Sequence, residues 1–189
     1  QVFQNHRKKF LTDHHFSLPL VPGRLQQPQL GLNAGQKSIK SKKMSDVFIV
    51  DGARTPIGGL LGDLSSVTAN ELGSISISAV MERTELPAEA VDEVFMGCVL
   101  PAGLKQCPAR QAMLGAGLLN TTGAVTLNKA CGSGMQATIY GVDSIIAGTN
   151  HLVVAGGLES MSNSPQILMT GRRGKRLGHT KLYDHMFID

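Results

Sequence analysis

The sequence predicts an α/β fold built on a parallel or mixed sheet with helices packed on it. Three observations carry this. Short, mostly apolar runs recur at Val47–Val50, 94–96 and 125–127, each closed by a turn. Helical patterns with their own start signals alternate with those runs. The stretch from Val125 to Gly157 reads strand, turn, helix, strand, the order of a right-handed crossover unit.

Each element follows from its residues. Val47–Val50, closed by Asp51-Gly52, reads as a buried strand, and Arg54-Thr55-Pro56 with Gly58-Gly59 as loop. Thr68 and Glu71 form a capping box for a helix to about Arg83, with Leu72, Ile75, Ala79 and Val80 on one face. Pro87 opens a helical turn, and 94–96 is a strand ended by Gly97. Pro108 suits the first helical position, where a missing N–H costs nothing, and its helix ends in the region 115–117. After the strand at 125–127 a helix follows Cys131-Gly132-Ser133-Gly134, with Met135, Ile139, Val142 and Ile146 as its expected buried face and Gly148 as its stop. His151 to Ala155 is the next strand, closed by Gly156-Gly157.

Composition narrows the classes. The chain has 189 residues, enough for one ordinary core, and its net charge of +4 is unevenly placed. Residues 1–43 carry eight Lys or Arg and one acid, Asp13, giving +7, whereas 44–189 carry −3. The first segment has six Gln and no sustained hydrophobic period, so it is expected to be a disordered basic extension. Lys37, Lys40, Lys42 and Lys43 could alternatively form a nucleic-acid or lipid patch, or the acid-poor stretch a mitochondrial transit peptide. A solvated extension is the preferred reading. No apolar run reaches the roughly 18 residues of a membrane span, and a secretory signal is not expected. Neither a membrane nor a nucleic acid is an expected partner. Three Cys without a close pair favour free thiols, no metal site and a reducing compartment.

Cys131 carries the chemical argument. It stands where a strand ends and a helix begins, beside unsatisfied N–H groups and the positive end of the helix dipole. That setting favours thiolate, the nucleophilic form. Gly132 and Gly134 leave the backbone open to a bulky substrate, and its N–H groups could receive the oxygen that gains charge when a thioester is attacked. The expected intermediate is an acyl group on Cys131. Two other readings use the same residues. Gly132, Gly134 and Ala137 with Glu159 match a dinucleotide-binding fingerprint, which would make this an NAD(P)-binding Rossmann-like domain. Alternatively the crossover only packs, in a non-catalytic lipid-binding or interaction module.

A resemblance bears on that choice. The run 128–137, Asn-Lys-Ala-Cys-Gly-Ser-Gly-Met-Gln-Ala, resembles the acyl-Cys motif of the thiolases. Residues 50–56, 108–112 and 155–162 are similar to three further thiolase segments in the same order. The resemblance covers 44–189 and implies a thiolase-like amino-terminal half: a core domain over 44–160, then the truncated start of the loop region that covers coenzyme A, over 161–189. It implies acetyl-CoA C-acetyltransferase activity, with acetyl-CoA or acyl-CoA thioesters as substrates, no bound cofactor, and a homodimer or homotetramer in the full enzyme. It also implies an activating His, a proton-removing second Cys and an Asn-held water in the second half. This chain carries none of those motifs, so turnover by it alone is not expected. Of the catalytic positions, only Cys131 carries over.

The remaining polar candidates take lesser roles. His151, His179 and His185 lack the family's Gly-His-Pro surroundings. Cys98 and Cys107 read as ordinary thiols, and Arg110 and Glu159 as structural partners in buried networks. Arg172-Arg173-Gly174-Lys175-Arg176 reads as a solvated loop that could serve subunit assembly or nucleotide phosphate contacts. Cytoplasm is the expected compartment, with the mitochondrial matrix as alternative.

Overall fold

The computed structural model describes residues 46–174 and 176–188, which belong to one compact unit; the basic extension over 1–43 lies outside them. Three strands, β1 (Glu93–Gly97), β2 (Gly123–Leu127) and β3 (Val153–Gly157), form a parallel sheet in the order β2-β1-β3. The crossover from β2 to β3 therefore steps over β1. Among the described residues the only antiparallel pairing is a separate ribbon, β4 (Gln166–Ile167) with β5 (Tyr183–Asp184), so the described part of the main sheet is parallel and not mixed.

Local signals placed the helices. Helix α1 (Ala69–Thr84) starts at the Thr68 capping box, Thr68 Oγ1 accepting the Glu71 N–H and the Glu71 carboxylate accepting the Thr68 N–H at 2.7 Å. Helix α2 (Pro108–Gly115) has Pro at its first position. Helix α3 (Ser133–Ala147) stops at Gly148, whose φ of 80° only glycine adopts freely. Pro87 precedes a 3-10 turn at Ala88–Ala90.

Alternation along β1 separates two faces. Val94, Met96 and Cys98 point into a core with Ile77, Ala109, Ala112, Met113 and Leu158, from α1, α2 and the end of β3. Fully burying Val94 or Met113 contributes about 1.5–3 kcal/mol each. Small residues let α1 and α2 approach closely: a Cβ on Gly73 would meet Ala112 and Leu158, and the Ser74 hydroxyl donates to Ala112 O at 2.9 Å. The opposite face of the sheet carries α3. There Gly97 lies against Ser133 and Gly134, and Gly141 against Val153 and Ala155.

Four sequence expectations are corrected. Val47–Val50 is extended but pairs with no described strand, and Phe48, Ile49 and Val50 are 79%, 86% and 67% exposed. Together with β3 and α1 this segment walls a cavity of about 700 Å³, so it stands apart from the sheet edge. Helix α1 buries Ala69, Gly73 and Ile77, and Ile75 faces solvent. Helix α3 buries Ser133, Ala137 and Gly141, and leaves Met135 and Ile139 74% and 44% exposed. In both helices close contact selects the small residues, because backbone can approach backbone only where side chains are short. The strand expected at 151–155 also begins later, at Val153.

Candidate active site

Cys131 stands just ahead of α3 and is exposed, with Gly132 as the helix N-cap. The turn that presents it is tightly held. Ala130 has φ of 46°, in the left-handed region, which costs a non-glycine residue roughly 1–2 kcal/mol. Its N–H donates to Asn128 Oδ1 at 2.9 Å, and its carbonyl accepts the Ser133 hydroxyl at 2.6 Å. Ser133 Oγ also accepts the Lys129 N–H at 2.8 Å. Ser133 is buried, so this small hub fixes the turn from inside. The Lys129 ammonium donates to Gln136 at 2.6 Å, along the helix.

The glycines around the turn bring three backbones together. A Cβ on Gly97 would lie 2.5 Å from Ser133, and one on Gly157 would lie 3.6 Å from Gly134 Cα. The carboxyl ends of β1 and β3 thus abut the first turn of α3. Between them opens a cavity of about 250 Å³, lined by Cys131, Ala130, Ser133 and Gly134 on one side and Gly97, Val99, Gly157, Leu158 and Glu159 on the other. Such a crevice beyond the carboxyl ends of parallel strands is where α/β folds place ligands. Of the two glycines expected at the site, Gly132 donates its N–H to Lys129 O at 3.1 Å. The Gly134 N–H makes no hydrogen bond among the described residues, and Gly134 lines the cavity.

Glu159 belongs to this cavity and is fully engaged. It accepts the Val99 N–H at 2.8 Å and the Leu100 N–H at 3.0 Å, and lies 3.7 Å from the Cys98 thiol. Glu159 thus serves the backbone that follows β1, a structural role that counts against the dinucleotide reading of Gly132, Gly134, Ala137 and Glu159. Burial, and then the Glu159 charge, push the Cys98 thiol up to about 12, so it remains a neutral donor. Arg110 is structural, donating to Asn120 O at 3.0 Å. His151 is exposed, its N–H bound to Asp92 at 2.6 Å, and this bond together with that from Leu152 holds the Asp92 carboxyl below its usual range. The glycines were legible in sequence as an open backbone. The backbone donors at Val99 and Leu100 were not, because nothing local marks a peptide group as the partner of a carboxylate some sixty residues on.

Comparison with known proteins places this geometry. The thiolase N-terminal domain family matches residues 47–189. Acetyl-CoA acetyltransferase 2 of Arabidopsis thaliana is 51% identical over 144 residues, 76% of this chain and 36% of its own. The mitochondrial acetyl-CoA acetyltransferase B of Xenopus laevis is 45% identical over 175 residues, 92% of this chain and 41% of its own. Among solved structures, a thiolase from Ascaris suum in complex with coenzyme A superposes with a TM-score of 0.72 at 38% identity, over 77% of this chain and 37% of that one. The chain spans between a third and a half of the length of these relatives. With strand ends, helix start and sequence in agreement, the chain belongs to the thiolase family.

Proposed function

We propose that Cys131 is the acyl-carrying nucleophile of an acetyl-CoA C-acetyltransferase, and that this chain supplies the nucleophile half of that enzyme. The carrying observation is the placement of an exposed thiol at the start of α3, over a cavity it shares with Gly134, whose N–H has no hydrogen-bond partner among the described residues. The Cys131 sulfur attacks the thioester carbonyl carbon. The new carbon–sulfur bond forms as the bond to coenzyme A breaks, and coenzyme A leaves with the thiol's proton. We assign the Gly134 N–H, on the same cavity, to receive the carbonyl oxygen as it gains charge. A second acetyl-CoA, deprotonated at its methyl carbon, then takes the acyl group and frees the Cys131 thiol. Thiolysis of acetoacetyl-CoA is the reverse. By the resemblance, both the His that activates Cys131 and the base for the second step belong to the second half, so this chain is expected to take acetyl slowly and to stop at acyl-Cys131. The complete enzyme is proposed to be a homodimer or homotetramer.

The test is incubation with acetyl-CoA followed by peptide mapping. Acetyl should be recovered on Cys131 and be absent from Cys131→Ser, with no sustained release of acetoacetyl-CoA. Acetyl spread equally over Cys107 and surface lysines would sink the assignment.

Free thiols favour a reducing compartment. Two further observations favour the mitochondrial matrix over the cytoplasm: the acid-poor charge of residues 1–43, and a match to the Xenopus mitochondrial relative long enough to enter that segment. Residues 1–43 fused to a fluorescent reporter should direct it to mitochondria. A diffuse cytoplasmic signal would return the assignment to the cytoplasm.

A further inference from the structure

We propose that Glu159 is a positioning residue for Cys131, acting through the backbone of Val99 and the side chain of Asn128. The inference rests on the acyl-Cys131 reading and adds the device that holds the nucleophile's turn in place.

The contacts form one continuous chain. Glu159, at the end of β3, accepts the N–H groups of Val99 and Leu100 at 2.8 and 3.0 Å, fixing the segment that leaves β1. Val99 is a wall of the cavity that Cys131 opens into. On its other side the Val99 carbonyl accepts Asn128 Nδ2 at 3.4 Å. The same Asn128 accepts the Ala130 N–H at 2.9 Å through Oδ1, and Ala130 is the left-handed residue directly before Cys131. A side chain anchored at Val99 thus restrains a strained backbone at Ala130. Glu159 does not act as a base here, since both of its oxygens already accept N–H donors.

The choice of a carboxylate has a physical reason. Two adjacent peptide N–H groups need two acceptor oxygens, and Glu offers both, whereas Gln would set an NH₂ group against one of them. The Cys98 thiol, 3.7 Å away, adds a third donor. Positioning of this kind matters because a nucleophile displaced by an ångström loses reactivity toward a bound acyl group far more than toward a small freely diffusing reagent.

The experiment uses the whole chain and reads amide hydrogen exchange at Val99, Leu100 and Ala130, with acetyl transfer to Cys131 beside it. Iodoacetamide labelling of buried Cys98 reports whether the fold is intact. Glu159→Gln should speed exchange at Ala130 about tenfold, although Glu159 does not touch that residue. It should slow acetyl transfer at least tenfold, leave iodoacetamide labelling of Cys131 within about twofold, and leave Cys98 unlabelled. Asn128→Asp keeps the acceptor for Ala130 but loses the donor to the Val99 carbonyl, so the Ala130 turn loses its anchor: exchange at Ala130 should speed up while Val99 N–H, held by Glu159, stays protected, and acetyl transfer should slow to a similar extent. The double variant should be no worse than either single one.

Exchange that rises only at Val99 and Leu100 in Glu159→Gln, or losses that multiply in the double variant, would overturn the proposal. Should Glu159→Gln unfold and expose Cys98, the surface variant Asn128→Asp decides alone, and unchanged exchange at Ala130 would overturn the proposal. A wild-type chain that takes no acetyl refutes the acyl-Cys131 reading, while the exchange data still judge the link.

Discussion

Gly97 sets how closely the end of β1 approaches the helix that carries Cys131. A Cβ there would fall 2.5 Å from the Ser133 backbone and 2.7 Å from Gly134 N, with no flexible side chain to give way. Gly97→Ala must push α3 off the sheet, at a cost of about 1–3 kcal/mol. Urea denaturation should show that loss, and an unchanged midpoint would mean that the contact is looser than described. Its neighbour Cys98 makes a prediction about pH. The folded state holds this thiol at about 12 against an ordinary 9.0, so it favours the protonated form. The stabilisation is complete below the unfolded value, and is lost as pH rises from 9.0 toward about 12. Urea midpoints compared at about pH 8 and pH 11 should fall more for the native chain than for Cys98→Ala. Parallel declines would show that the buried thiol does not drive the alkaline loss.

Elements with a local start or stop were the legible ones. Thr68 and Glu71 complete a capping box within one turn, Pro108 meets its requirement at the first helical position, and Gly148 ends α3 by its own φ. Removing the first of these should be measurable: Thr68→Ala should lower stability by about 1 kcal/mol, read by thermal denaturation, and no change would place α1's stability wholly in its packing. What depended on distant partners was harder to read. Val47–Val50 has strand chemistry, but strand formation also requires a neighbour, and none of the described strands pairs with it. The faces of α1 and α3 were misread for a related reason. Large apolar residues dominate a hydrophobic pattern, yet the closest contacts were made by Gly73, Ala137 and Gly141, which the pattern weights least. The candidate site shows the same division. Cys131 and its flanking glycines stood together in one motif, while Val99, Asn128 and Glu159 meet only through the fold.

For the molecule as a whole, the two faces of the sheet are covered unequally. One face lies under α2 with α1 packed against it, and the other lies under α3. Helix α3 is uncharged on both of these sides: the small residues Ser133, Ala137 and Gly141 meet the sheet, and the apolar Met135 and Ile139 are turned away from it into solvent. Tyr140 adds a partly exposed ring beside them. A solvated helix normally turns a charged face outward, so an apolar outer face is a surface that water does not favour. The relatives are more than twice as long as this chain, so packing against further protein is the physical expectation for such a face. By itself the chain should therefore self-associate through it. Light scattering across a concentration series should show mass rising with concentration. Met135→Lys with Ile139→Lys should suppress that rise with an unchanged far-ultraviolet circular dichroism spectrum, since neither residue is buried. A wild-type chain that stays monomeric throughout would show that this face is tolerated in water. A doubly substituted chain that associates as before would move the sticky surface elsewhere, with the exposed Phe48, Ile49 and Val50 the next residues to substitute.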